Sequence, residues 1–218
     1  MMPTLKYPET KRVDVSETHF GQTVTDPYRW LENDVRSDKD VAAWVAAQNG
    51  TSNAYLHTLP GRDIFRKRLT ALFDHEAVTA PHKRGERYFY TRNSGLENQA
   101  ALYLREGVNG KERVLIDPNS WSEDGATALA EWSASEDGSR VAYGVQEGGT
   151  DWRMINIVDV NTGKVLDDEV RWARFTEISW AKDGSGFFYS RYPHPGKETS
   201  SQAGVTNHAI YYHALGTE

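Results

Sequence analysis

Trp132-Ser133-Ala134-Ser135-Glu136-Asp137-Gly138-Ser139 and Ser179-Trp180-Ala181-Lys182-Asp183-Gly184-Ser185-Gly186 align on their Asp-Gly turns, with Gly138 and Gly184 46 residues apart. A weaker copy, Arg84-Gly85-Glu86-Arg87-Tyr88-Phe89-Tyr90, lies 53 residues before Gly138. Around these turns, runs rich in β-branched and aromatic residues recur: Arg87–Thr91, Ala101–Arg105, Arg113–Ile116, Arg140–Val145, Met154–Val160, Phe187–Arg191 and Ala209–His213. Gly107-Val108-Asn109-Gly110 and Asn161-Thr162-Gly163-Lys164 punctuate them as further turns. A period of 40 to 50 residues carrying about four short strands is the signature of a β-propeller. An ordinary antiparallel sandwich is the alternative. The Asp-Gly turn at the same place in each copy favours the propeller, with each copy a separate four-stranded sheet.

The chain before residue 77 has a different period. Ser37-Asp38-Lys39-Asp40 has the pattern of a helix N-cap, with Ser37 capping and Asp40 in the place of the usual Glu. Val41, Trp44, Val45, Gln48, Ser52, Tyr55, Leu56 and Leu59 then follow the helical repeat, and Pro60-Gly61 stops it. A second helix opens at Arg62-Asp63, with Ile64, Phe65, Leu69, Leu72 and Phe73 on its apolar side. Two helices and an extended leader bury little by themselves, so they need something else to pack on. The expected division is residues 1–77 as a helical leader and 78–218 as propeller blades. Two and a half to three repeats fit in 218 residues, whereas a closed propeller needs about four blades or more. The sequence therefore reads as part of a longer protein, with Gly216-Thr217-Glu218 turning toward a further strand.

Composition narrows the function. Asp plus Glu number 31 against 25 for Lys plus Arg, a net charge of −6 that lacks the basic surface of a nucleic-acid binder. The absence of a long apolar run predicts no membrane span, and no signal peptide is visible. There is no cysteine, which removes disulfides, thiolate metal sites and a cysteine nucleophile. No Gly-x-Ser-x-Gly elbow occurs; Gly50-Thr51-Ser52-Asn53-Ala54 lacks the second glycine and lies in a helical pattern. The seven histidines show no helical metal spacing, and His208 and His213 fall on opposite faces of an expected strand. Asp167-Asp168-Glu169 reads as solvated charge in a turn. No cofactor or metal is expected.

Several ordered strings resemble the prolyl oligopeptidase family across essentially the whole chain. They are Tyr7-Pro8, Thr25-Asp26-Pro27-Tyr28-Arg29-Trp30-Leu31-Glu32-Asn33, Gly61-Arg62 after a proline, and Leu115-Ile116-Asp117-Pro118-Asn119. Trp180-x-x-Asp183-Gly184-x-Gly186-Phe187-Phe188-Tyr189 and Tyr211-Tyr212-His213-x-Leu215-Gly216-Thr217 follow in the same order. The resemblance implies a serine endopeptidase, cytoplasmic or in some members periplasmic, that cuts short peptides after proline. It implies a mainly β chain: a partial seven-bladed β-propeller preceded by a helical leader that belongs to an α/β-hydrolase domain. The triad segment is not in these residues, so the chain by itself is expected to be inactive and to need a C-terminal hydrolase segment as partner. The alternative is a stand-alone propeller that binds peptides or proteins without chemistry. Within Arg174-Phe175-Thr176-Glu177-Ile178-Ser179-Trp180, the resemblance makes Phe175 part of the proline-side pocket; a place in the blade core is the other reading. In Thr150-Asp151-Trp152 it makes Asp151 a carboxylate that influences the charge felt by a bound peptide, with Trp152 beside it; a strand-end acid is the other reading. It makes Tyr192–Asn207 a loop that faces the hydrolase domain and gates peptide entry, a disordered insert being the other reading; Trp30 and Leu31 read as packing anchors between the leader and the hydrolase domain, not as catalysts.

Overall fold

A computed structural model describes residues 5–194 and 206–217. Most of the expected loop Tyr192–Asn207 lies outside these residues. The chain forms two compact units, one holding the described residues up to Leu69, the other Thr70–His194 with the described residues from 206 onward.

In the first unit, β1 (Ser16–His19) and β2 (Gln22–Thr25) form a hairpin. Its two turn residues, Phe20 and Gly21, both have positive φ, at 51° and 79°, the geometry that matches strand twist in two-residue hairpins. Arg29 fixes the chain that follows, donating from Nη1 to Glu17 Oε1 at 2.7 Å and from Nε to Asp26 Oδ2 at 2.7 Å. That guanidinium holds the Glu17 carboxyl down to about 2. Trp30 donates to the Lys11 carbonyl at 2.9 Å and meets Trp44 edge to face at 6.5 Å. Trp30 thus anchors the leader to its own first helix. That helix, α1 (Lys39–His57), is capped by Asp38, not by Ser37: Asp38 Oδ1 accepts from Asp40 N at 2.8 Å and from Val41 N at 3.1 Å. One residue decides which side chain reaches the free N–H groups. Ser52 is an exposed residue of α1. The second helix, α2 (Arg62–Phe73), leaves Ile64, Phe65, Leu72 and Phe73 exposed.

The second unit is mainly strand, with the end of α2 and a short 3-10 helix at Pro118–Ser120. β3 (Ala77–Val78) and β4 (His82–Arg84) both pair with β5 (Arg87–Asn93), which is followed in order by β6 (Ala101–Glu106) and β7 (Glu112–Ile116). Next, in a separate sheet, come β8 (Ala128–Ala134), β9 (Arg140–Gln146), β10 (Trp152–Asp159) and β11 (Val165–Arg174), with β9, β10 and β11 each paired antiparallel with the strand before. Last are β12 (Ser179–Trp180), β13 (Gly186–Arg191) and β14 (Ala209–Ala214). The expected repeats are therefore real blades, and the fold is mainly β, a partial propeller.

The turns of the repeat share their backbone hydrogen bonds. Gly138 and Gly184 both have φ of 70° and donate to the residue three back, Ser135 O and Ala181 O, at 2.9 Å. Asp137 Oδ1 accepts from Ser139 N and Asp183 Oδ1 from Ser185 N, both at 3.0 Å. The Ser135 hydroxyl, donating to Asp137 Oδ1 at 2.6 Å, and the Ser139 N–H together pull the Asp137 carboxyl down to about 2.

The middle blade is buried on both faces. Val141, Tyr143 and Val158 pack against Phe89, Leu102 and Leu104 of the first blade. Ala142, Ile155 and Ile157 point the other way, against Phe187 and Tyr189 of the third. Successive residues of a strand face opposite sides, so two cores share one sheet.

Two expectations are corrected here. The second and third blades are not separate sheets, because Ala173 pairs with Arg153 on one side and Arg191 on the other. The end of β11 is at once the last strand of one blade and the start of the first strand of the next. Asp167-Asp168-Glu169 is not a turn either but lies within β11. Asp168 is buried, and its Oδ1 bonds His213 Nε2 at 2.9 Å and the Gly216 N–H at 2.6 Å. His208 precedes β14, and His213 lies inside it.

The paired turns give a test. A Cβ on Gly138 would stand 2.6 Å from the Arg84 carbonyl oxygen, whereas one on Gly184 would meet nothing within 4 Å. Both substitutions to Ala meet the same left-handed backbone, worth about 1 kcal/mol, and Gly138→Ala adds an overpacking cost of about 1–3 kcal/mol. Urea melts of the two variants should show Gly138→Ala clearly the less stable.

Candidate functional site

The antiparallel register of β10 and β11 places Trp152 opposite Arg174. Asp151 and Phe175 are the residues just beyond these two strand ends. Arg174 joins all three sequence-predicted residues. Its Nη2 donates to Asp151 Oδ2 at 3.1 Å, and its guanidinium lies 5.1 Å from the Trp152 ring and 4.8 Å from the Phe175 ring. Such approaches of a guanidinium to aromatic rings are favourable cation–π contacts. Tyr192 closes the aromatic group, edge to face with both Trp152 and Phe175 at 6.4 Å. Its far side stacks on His208 at 4.4 Å.

The backbone here is unusual. Trp172 and Phe175 have φ of 64° and 50°, a region that bulky residues rarely occupy. They flank Ala173, the residue where the chain passes from one blade to the next. The gap in the ladder after Ala173 is filled by a side chain: Ser190 N donates to Thr176 Oγ1 at 2.8 Å. Thr79 does the same in the first blade, accepting from Thr91 N at 2.9 Å. The result at Phe175 is a ring turned outward, 55% exposed. A place in the blade core is excluded.

Arg153 supports the site from beneath. Its Nε donates to Glu131 Oε2 at 2.8 Å and its Nη1 to the Asp151 carbonyl at 2.5 Å. Burial raises the Glu131 pKa even though Arg153 opposes the shift. Gly144 makes room for this pair, since a Cβ there would stand 2.6 Å from Glu131 Oε1. An open cavity of about 280 Å³ lies alongside, lined by Val145, Thr150, Trp152, Met154 and Trp172. Aromatic faces with a charge pair at their edge can hold an apolar ring and orient a peptide.

A family model described as the prolyl oligopeptidase N-terminal beta-propeller domain matches residues 7–218. The chain belongs to the prolyl oligopeptidase family. A prolyl endopeptidase of Elizabethkingia meningoseptica is 44% identical over 215 residues, covering 98% of this chain and 30% of that protein. A solved prolyl endopeptidase superposes with a TM-score of 0.83 at 34% identity, over 98% of this chain and 31% of its own. Prolyl oligopeptidase B from Galerina marginata, solved bound to a 25mer macrocyclization substrate, gives a TM-score of 0.73 at 29% identity, over 98% of this chain and 32% of its own. The chain thus spans about 30% of the length of the prolyl oligopeptidases it matches.

Phe175, Asp151 and Trp152 were the residues singled out in the sequence, and all three meet in one cluster. Arg174 and Tyr192 were not. The adjacency of Arg174 to Phe175 was the available signal, but its partner Asp151 lies 23 residues away and only strand register brings it near. Because Phe175 is exposed and Phe187 fully buried, their truncations should differ. Phe175→Ala should cost under about 1 kcal/mol and Phe187→Ala about 3–5 kcal/mol in chemical denaturation.

Proposed function

We propose that the chain is the N-terminal propeller segment of a proline-specific serine endopeptidase and that Phe175, Trp152 and Asp151 contact short proline-containing peptides. The observation that carries the reading is the outward Phe175 ring, held beside the Asp151–Arg174 pair in a chain of this family. Proline presents an apolar ring and no backbone N–H, so contact with an aromatic face, and not a donated hydrogen bond, is the means of recognising it. The residues 1–218 contain no Gly-x-Ser-x-Gly. In this reading the nucleophile, its base and the oxyanion donors come from a hydrolase segment, which is the partner of the propeller. Neither a nucleic acid nor a membrane is part of the reading.

The test uses the protein at the full length its gene encodes, with a chromogenic Gly-Pro substrate and a fluorophosphonate probe. Turnover is expected, with no serine among residues 1–218 labelled. Phe175→Ala should lower kcat/KM by about tenfold, the scale of one well-placed aromatic contact, while the melting temperature changes little. Peptide binding without turnover would favour a non-catalytic peptide-binding propeller. An unchanged kcat/KM in Phe175→Ala would remove the assignment of the site.

A further inference from the structure

Arg174 is held in a way that a bystander would not need. A guanidinium keeps its charge at any ordinary pH and carries five N–H donors. Here the side chain is only 13% exposed, and Nε and Nη1 are buried without a hydrogen-bond acceptor. What offsets that burial is the half-exposed Asp151 carboxylate at 3.1 Å and the two rings, Trp152 and Phe175, at 5.1 and 4.8 Å. The dependence is mutual. The rings stabilise the cation, and the cation fixes where the rings stand. Phe175 in particular sits on a left-handed backbone, a conformation that persists only where its surroundings hold it.

The same contact changes what Asp151 can do. A carboxylate paired at 3.1 Å with a buried guanidinium is not a free negative charge at the surface. A bound peptide would sense the pair, which is close to neutral. Resting on the reading above, we propose that Arg174 is the positioning residue of the peptide site: it orients Phe175 and Trp152 and cancels the charge of Asp151. The site then selects the proline ring and is indifferent to the charge of the residues beside it.

The experiment uses the full-length protein and three internally quenched peptides that differ only in carrying Lys, Gln or Glu just before a Gly-Pro. The unaltered protein should cleave all three with kcat/KM within about twofold of one another, as a balanced pair implies. Arg174→Gln exposes the Asp151 charge. It should favour the Lys peptide over the Glu peptide by about fivefold, an effect that shrinks in high salt. Asp151→Asn should reverse the preference by a similar factor. The double variant Asp151→Asn/Arg174→Gln should be indifferent to charge again, closing the cycle. Arg174→Lys retains the charge but not the planar stack. It should keep the indifference while raising KM for the Gln peptide.

A purely structural arginine would lower turnover of all three peptides alike, independent of salt, and that result would overturn the proposal. So would an Arg174→Gln protein that keeps the original ranking. If the unaltered protein cleaves none of the three, the proposed peptidase function falls, and this proposal with it. If it cleaves them but the variants show no charge preference, only the role of Arg174 is lost.

Discussion

The middle blade has no solvent face. Val141 and Tyr143 serve one core and Ala142 the other, so each neighbouring blade must approach to packing distance along the whole strand. The turns at the blade ends have to allow that approach. Gly85 and Asp137-Gly138 meet backbone to backbone, where an added Cβ on Gly85 would stand 2.5 Å from the Asp137 carbonyl oxygen. The Gly85 N–H donates to Glu136 O at 3.1 Å across the same contact, and Trp180 Nε1 reaches Ser133 O at 2.9 Å between the next two blades. Close approach and satisfied backbone groups are met together by glycine at these points.

Passing from blade to blade without leaving unpaired backbone is the harder demand. β11 meets it by letting Ala173 pair on both sides, and the cost appears as left-handed φ at Trp172 and Phe175. Residues in such conformations persist only where the surroundings over-determine them. Thr176 supplies the acceptor that the ladder lacks, and Arg174 stacks on the displaced ring. The outward Phe175 is therefore a product of blade connection. A rigid scaffold here presents a strained, exposed side chain, which is the usual relation between a fold and its binding residues.

The strands with clear alternation were legible in the sequence, as were the two helices and the repeat. β11 was hidden because three consecutive acids look like a turn. What makes Asp168 acceptable inside a strand is His213, 45 residues away, and no local pattern encodes that bond. The hairpin of β1 and β2 was missed because Phe20 occupies a turn position where Asn or Gly is the usual signal. At the helix start, Ser37 and Asp38 are both good caps, and only geometry chooses between them. Of the site, Phe175, Asp151 and Trp152 came from family resemblance. Arg174, which joins them, depends on a pairing register that composition and spacing do not reveal.

The central claim is that the crossing between the second and third blades carries a peptide-binding surface. A crystal structure of the full-length protein with a bound Gly-Pro peptide tests it most directly. The account predicts the Phe175 ring in van der Waals contact with the peptide, about 4 Å between carbon atoms, with Arg174 still stacked between Phe175 and Trp152. A peptide bound elsewhere, with Phe175 left in solvent and the Asp151–Arg174 pair untouched, would contradict it.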